Sequence, residues 1–525
     1  MSPSALKAGK VIFAVFLAFF AIRLFQYHFH LVTFPYSGTL REGTMMSNTD
    51  ALVKGLNPYD MALQPKYANG YGIVYPLVVW PFAKAFGTTI LVHRLVTAFF
   101  LLSSCALIFL VIQRMKIPVL LNIWAVLMLY ASLLYPGTST ATIDPGATCQ
   151  FFFLATVLVP WLDRYSAKSL GLSILCGIIA YYTKPYALLG IPVMASYLFF
   201  FISKKKGMYY AAAAALLAIA SVFIVNNALP SYFDSCFFAM ANMAPAWSTV
   251  KRLQMQLVMY TDLHKWLLML IGAFAAGYAV KVFTDGHLKK NIRNALNAAL
   301  KSLNWKNPQK PLISINVHLM LYAGTCSSIV LLLWLGKHTG ATLWYFFQLL
   351  SPFFLVGCAW LFSQNRLWPL LCVPVLVYNL HTVTADEKPQ WFSKNTAGWP
   401  EISMLVSRHQ HILNSSLIVP LLIEQDKEFF DNGQAEYFLP GGDRTSWMKL
   451  FFKEDPRVSR QLTMFFYKIK VLVQNKAFDI ILLQPGLLPG VGDDIRKNYK
   501  YEGEFPVYAP QDRRPYMISV WLLKN

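Results

Sequence analysis

Residues 40–87 read LREGTMMSNTDALVKGLNPYDMALQPKYANGYGIVYPLVVWPFAKAFG. Glu42 follows directly on a first apolar stretch. After it come a segment with helical character from Thr44 to Lys54, a Gly55-Leu56-Asn57-Pro58-Tyr59-Asp60 turn, and Tyr71-Gly72-Ile73-Val74-Tyr75-Pro76. An apolar run then closes at Phe86-Gly87. The stretch is bracketed by apolar segments near 11–31 and 89–113. Each has about the 20 residues that crossing a bilayer requires, so the quoted stretch reads as a loop between spans.

The rest of the chain agrees. Of 525 residues, 56% are hydrophobic and 14% charged, which excludes a soluble multidomain protein. Further apolar segments lie near 118–135, 147–162, 169–183, 185–203, 208–229, 265–283, 312–335, 341–363 and 366–384, giving about eleven transmembrane helices. The stretch Val11 to Phe29 is long and lacks a small-residue cleavage site, so it reads as a retained first helix.

Charge sets the orientation. Residues 1–385 carry 28 basic and 8 acidic side chains, residues 386–525 carry 18 and 17. With the N-terminus cytoplasmic, every inside loop is basic, including Lys7 and Lys10, Arg114 and Lys116, and Lys204 to Lys206, as the positive-inside rule requires. Of the net charge of +21, +20 therefore belongs to the membrane part and its orientation, and nucleic acid is not expected as a partner. Eleven spans place residues 386–525 outside as a small α/β domain. Residues 1–385 form the transmembrane domain, with external loops at 32–88 and 230–264. Seven cysteines, six of them in or beside apolar stretches, give neither a disulfide framework nor a metal-ligand spacing.

Acids near a bilayer are costly and tend to mark sites. Six of the eight before residue 386 fall outside on this topology: Glu42, Asp50, Asp60, Asp144, Asp234 and Asp262. Any one of these acids could be a solvated loop charge or a helix cap, and for Asp50 that is the favoured reading.

The pattern of the first loop resembles the GT-C superfamily of membrane glycosyltransferases, in its protein-mannosyltransferase-like and aminoarabinose-transferase-like branch. That branch carries an acid-acid-Gly motif, a Gly-x-x-Pro-Tyr turn and a Tyr/Pro entry to the next helix. Where the family often has Asp-Glu, this chain has Arg41-Glu42. Weaker similarity continues at Thr142-Ile143-Asp144-Pro145-Gly146, at Tyr181-Tyr182-Thr183-Lys184-Pro185-Tyr186, and at Ala341 to Gln348, which includes Tyr345.

The resemblance implies transfer of a sugar from a polyprenyl-phosphate-linked donor to an envelope acceptor, with inversion, at the outer face of the cytoplasmic (inner) membrane. An alcohol is a poor nucleophile, so a carboxylate must take its proton, and Glu42 is the expected general base. The departing phosphate is a stable anion and calls for cations instead of an acid. Lys66, Lys184, Arg252 and His338 are the expected phosphate ligands. Asp144, Asp60, Tyr71, Tyr75 and Tyr345 are expected at the donor and acceptor sugars. Each has a plain alternative: Lys184 as a snorkelling residue, Arg252 as a lipid-headgroup contact, Tyr71 and Tyr75 as an aromatic belt, and Asp144 as a cap of the following helix. No metal and no cofactor are expected. Two rival readings remain, a transporter or flippase of lipid-linked sugars and an oligosaccharide ligase or polymerase.

Overall fold

The computed structural model describes residues 3–134, 141–239, 254, 318–327, 344–363, 368, 372–377, 396–430, 456–485, 488, 490–508 and 515–524. The expected span at 265–283 lies outside them, as do most of 366–384 and of the loop 230–264.

Long apolar helices dominate: α1 (Pro3–Thr33), α4 (Ile90–Arg114), α5 (Val119–Leu134), α6 (Gly146–Leu162), α7 (Ala167–Thr183) and α9 (Lys204–Ala228). Between α7 and α9, residues 185–202 form one continuous run: a 3-10 turn, α8 (Gly190–Tyr197) and a π turn. Helix α10 (Trp344–Ser363) follows further along. Four of these segments, Leu6–Thr33, Ile90–Arg114, Pro185–Ile202 and Lys204–Ala228, are long and apolar enough to cross a membrane. They pack around one apolar core, with Phe20, Trp124, Phe153 and Phe362 fully buried in it.

The loop 32–88 carries two helices. Helix α2 (Leu40–Val53) starts four residues before Thr44, and α3 (Val74–Phe86) is a helix of its own. Despite its polar sequence, α2 is buried from Glu42 to Ala51. Its end is a Schellman motif: the Gly55 N–H reaches the Leu52 carbonyl (3.1 Å) and the Leu56 N–H the Ala51 carbonyl (2.8 Å). Gly55 takes the left-handed φ of +73° that this motif needs. Thr89 caps α4 by accepting from the Val92 N–H.

Residues 396–524 carry a four-stranded sheet in the order β1-β2-β4-β3, from β1 (Ile412–Asn414), β2 (Ile480–Leu483), β3 (Tyr499–Val507) and β4 (Tyr516–Leu523). The β1–β2 pair is parallel; β2–β4 and β4–β3 are antiparallel. Every residue of β2 is buried, as a central strand's continuous apolar run demands. Helices α11 (Trp399–Arg408), α12 (Val419–Glu424), α13 (Pro456–Gln474) and α14 (Gly492–Asn498) accompany it. From α13, Phe465, Ile469 and Val473 pack as an i, i+4, i+8 stripe under the sheet.

This α/β part seats directly on α2. A Cβ on Gly43 would lie 1.9 Å from the Ser416 carbonyl oxygen, so α2 and the 416–418 turn touch backbone to backbone. Tyr36 stacks on Trp399 (4.9 Å between centroids), and Glu424 accepts from the Ile90 N–H at the start of α4 (3.1 Å). Replacing Gly43 by Ala is expected to separate these surfaces and lower the Tm of the purified protein by several degrees; an unchanged melting curve would show that the seam can yield.

Asp479, at the head of β2, accepts from the backbone N–H groups of His411 (3.0 Å) and Gln410 (3.2 Å), tying β2 to the lead-in of β1. The His411 N–H bond above all holds its carboxyl below the usual range. A depressed carboxyl contributes stability that is present above its unfolded-state pKa and is lost as pH falls through the folded one. Asp479→Asn should thus cost about 1 kcal/mol at neutral pH and nothing once both states are protonated; stability measured across acidic pH tests this sign.

Candidate active site

Two carboxylates and three cations converge where α2, α4, the turn before α6 and the end of α7 meet. Arg94 lies one turn inside α4 and is almost wholly buried. Its Nε donates to Glu42 Oε1 (3.0 Å) and one terminal nitrogen to Glu42 Oε2 (2.8 Å), a forked pair. The other donors of the guanidinium go to the carbonyls of Leu31, Phe34 and Tyr36. Glu42, fully buried, also accepts from the backbone N–H groups of Gly38 and Ile143, the latter at 2.9 Å. Both its oxygens are therefore engaged twice over.

The bond to Ile143 fixes the turn that presents Asp144. Asp144 Oδ1 accepts from Lys184 Nζ (2.9 Å) and from the Gly146 N–H (2.6 Å), so it also caps α6. Its Oδ2 lies 3.7 Å from the Arg41 guanidinium and makes no hydrogen bond among the described residues, although it is buried. Lys184 is itself buried, at the junction of α7 with the 185–202 run. Arg41, at the first turn of α2, is partly exposed. The cluster thus has an occupied carboxylate, Glu42, and one with an open oxygen, Asp144, flanked by two cations.

A buried polar layer lies beside it. His93 contacts Thr49 Oγ1 (3.0 Å), and the Tyr75 hydroxyl meets Thr97 Oγ1 (3.1 Å) and the His93 carbonyl (3.2 Å). Next to Lys184, residues 185–192 and Ala211 to Ala218 of α9 enclose an apolar groove of about 610 Å³. The loop 61–73 is pinned against α7: a Cβ on Gly72 would lie 2.0 Å from the Tyr182 carbonyl oxygen.

Of the residues expected from the sequence, Glu42, Asp144 and Lys184 come together here. Others do not. Lys66 pairs with Glu428 of the α/β part, and Asp60 caps the Met61–Leu63 turn by accepting from the Ala62 N–H (2.9 Å), facing solvent. Tyr75 is fully buried between α3 and α4, leaving no ring face for a sugar to stack on. Tyr71 is half-buried against the main core, its carbonyl accepting from the Tyr59 hydroxyl (2.8 Å). Asp50 is neither a loop charge nor a cap; buried on α2, it pairs with Lys54 (2.8 Å) and accepts from the Tyr67 hydroxyl (2.9 Å). Burial, then the adjacent Asp50 charge, pushes the Tyr67 phenol above its usual range. Arg252 and His338 lie outside the described residues, as does the side chain of Tyr345.

Two members were not anticipated. Arg94 was legible as a lone charge in an apolar span, the same signal used for the acids. Arg41 stood in the motif as a departure from the family pattern, and it is the residue that faces Asp144. Among the described residues no group of three or more His, Cys, Asp or Glu is placed to hold a metal ion.

No protein-family model matches the chain, and neither does any curated protein. Among solved structures it is similar to ArnT from Cupriavidus metallidurans bound to undecaprenyl phosphate, with a TM-score of 0.47 and 12% identity over 97% of each chain. It is likewise similar to the apo state of that protein, with a TM-score of 0.49 and 12% identity over 98% of each chain.

Proposed function

We propose that this chain is an inverting glycosyltransferase that moves a sugar from a polyprenyl-phosphate donor to a hydroxyl of a cell-envelope acceptor, at the outer face of the cytoplasmic membrane. The observation that carries the reading is the Asp144 carboxylate, buried yet with Oδ2 unbonded, between Lys184 and Arg41. A sugar transfer from a phosphate needs those two chemistries side by side: a carboxylate oxygen for the attacking hydroxyl's proton and cations for the charge that develops on the phosphate. The first-loop motif resemblance independently supports the same class.

In this proposal Asp144 Oδ2 takes the acceptor proton while Lys184 and Arg41 bind the leaving phosphate, with Arg252 and His338 as further contacts. Lysine acts as a compact charge and arginine as a planar fork. Glu42, the base expected from the sequence, takes a positioning role, because four donors already occupy its two oxygens. The groove beginning at Pro185, next to Lys184, has the apolar lining that a polyprenyl chain needs. A transporter fits less well. Its ionisable residues belong near the middle of broken helices, whereas Arg41, Asp144 and Lys184 all stand at helix ends.

The test is transfer of radiolabelled sugar from its polyprenyl phosphate to fractionated envelope acceptors by purified protein in nanodiscs. Asp144→Asn should lower turnover per folded protein by about 10²-fold or more, together with the Tm, because the buried Lys184 ammonium loses its partner. Glu42→Gln should lower activity and Tm together, since its amide N–H groups would face the donors of Arg94. Full activity in Asp144→Asn, with an inactive but equally stable Glu42→Gln, would return the proton to Glu42. Transfer should also survive EDTA.

A further inference from the structure

A second concave site lies in the α/β part, where β3 and β4 meet the turn after β2 and the start of α14; its volume is about 630 Å³. Clefts that hold small ligands run from about 300 to 1,000 Å³. The register of the two strands builds one wall. Tyr501 pairs with Trp521, and Glu504 with Ser519. Positions 501 and 504 would ordinarily face opposite sides of a strand, but a bulge between Tyr501 and Gly503 shifts the pleat by one residue. Both therefore share the face on which Ser519 and Trp521 stand, and all four line the cleft.

The two rings form a tilted corner, with centroids 4.9 Å apart and planes at 57°. Tyr501 keeps 48% of its surface in solvent, so the corner is uncovered. Beside it the Ser519 hydroxyl donates to Glu504 (3.2 Å). Gln484 completes the polar wall, and Asp493 and Arg496 form an ion pair at the rim. The charges decide against an anion. Among the described residues Arg496 is the only cation lining the cleft and is paired, while Glu504 leaves the described wall net negative. Phosphate, nucleotides and the donor headgroup are therefore poor occupants.

We infer that this cleft binds a neutral saccharide, with a pyranose ring packed by its apolar C–H face against Tyr501 and Trp521 and its vicinal hydroxyls on Glu504 and Gln484. A sugar ring has one flat apolar face and an edge of hydroxyls that both donate and accept. An aromatic corner beside carboxylate and carboxamide groups presents the matching surfaces. The saccharide site stands on the sheet geometry alone; only its identification with the glycan acceptor rests on the glycosyltransferase reading.

Full-length protein in nanodiscs, without donor, is titrated with methyl glycosides of glucose, galactose, mannose and N-acetylglucosamine and with their disaccharides. Binding is followed by saturation-transfer-difference NMR, with sodium phosphate and AMP as anionic probes. At least one sugar should give a saturable signal that the anions do not displace. Tyr501→Ala should weaken it about tenfold, the loss expected from one aromatic contact. Glu504→Gln, nearly isosteric, should weaken it with an unchanged Tm, and Asp144→Asn should leave it intact. No saturable sugar signal, equal binding in both cleft variants, or displacement by phosphate or AMP would overturn the inference. None of those results bears on transfer activity, which the Asp144→Asn assay reads separately.

Discussion

The buried pair of Arg94 and Glu42 is the junction on which the surrounding architecture depends. A guanidinium and a carboxylate removed from water are tolerable only when every donor and acceptor is matched, and here they are. The partners come from the end of α1, the connection to α2, the first turn of α2 and the turn before α6. Directly and through Glu42, the Arg94 side chain thus ties all four stretches of backbone to α4. Breaking such a pair from one side typically costs about 3–5 kcal/mol, because the remaining charge is stranded. Asp144 inherits its position from this junction, since Glu42 holds the N–H of the residue just before it.

The two carboxylates are chemically alike, but their surroundings differ. Glu42 has four donors and no room for another. Asp144 shares one oxygen with Lys184 and a backbone N–H and, among the described residues, keeps the other within reach only of Arg41. In the proposed reaction, the number of hydrogen bonds each oxygen already accepts decides which one is open to the proton of an incoming hydroxyl. The cations that neutralise Asp144 are also placed to meet a phosphate, so one small cluster holds both halves of the chemistry proposed for it.

Much of this was legible in the sequence, for identifiable reasons. The long apolar runs that became α1, α4, α6 and α9 announce themselves by length and composition. Scarce acids between apolar runs pointed to Glu42 and Asp144, and Lys184 followed from its place between two spans. Helix α2 was harder: Glu42 to Ala51 is a polar run whose burial comes from what covers it, the 416–418 turn and α12, more than 360 residues further along the chain. Tyr75 misled for a similar reason. An aromatic residue near a helix entry has the same signature whether it faces a ligand or fills the space beside Thr97. Lys66 and Asp60 carry charges of the right sign in the right loop, but a nearby Glu428 and the Ala62 N–H claim them first, and linear spacing has no access to such competition.

The contact of Gly43 with the Ser416 carbonyl has a bearing on how such a chain can be re-engineered. Because the helix carrying Glu42 and the sheet-bearing portion meet without an intervening side chain, the two halves cannot drift independently in sequence. A chimera that imports the α/β portion from a relative would have to import a matching helix surface with it, or the graft would pry open the cluster around Arg94, Glu42 and Asp144 while leaving every residue of that cluster unchanged.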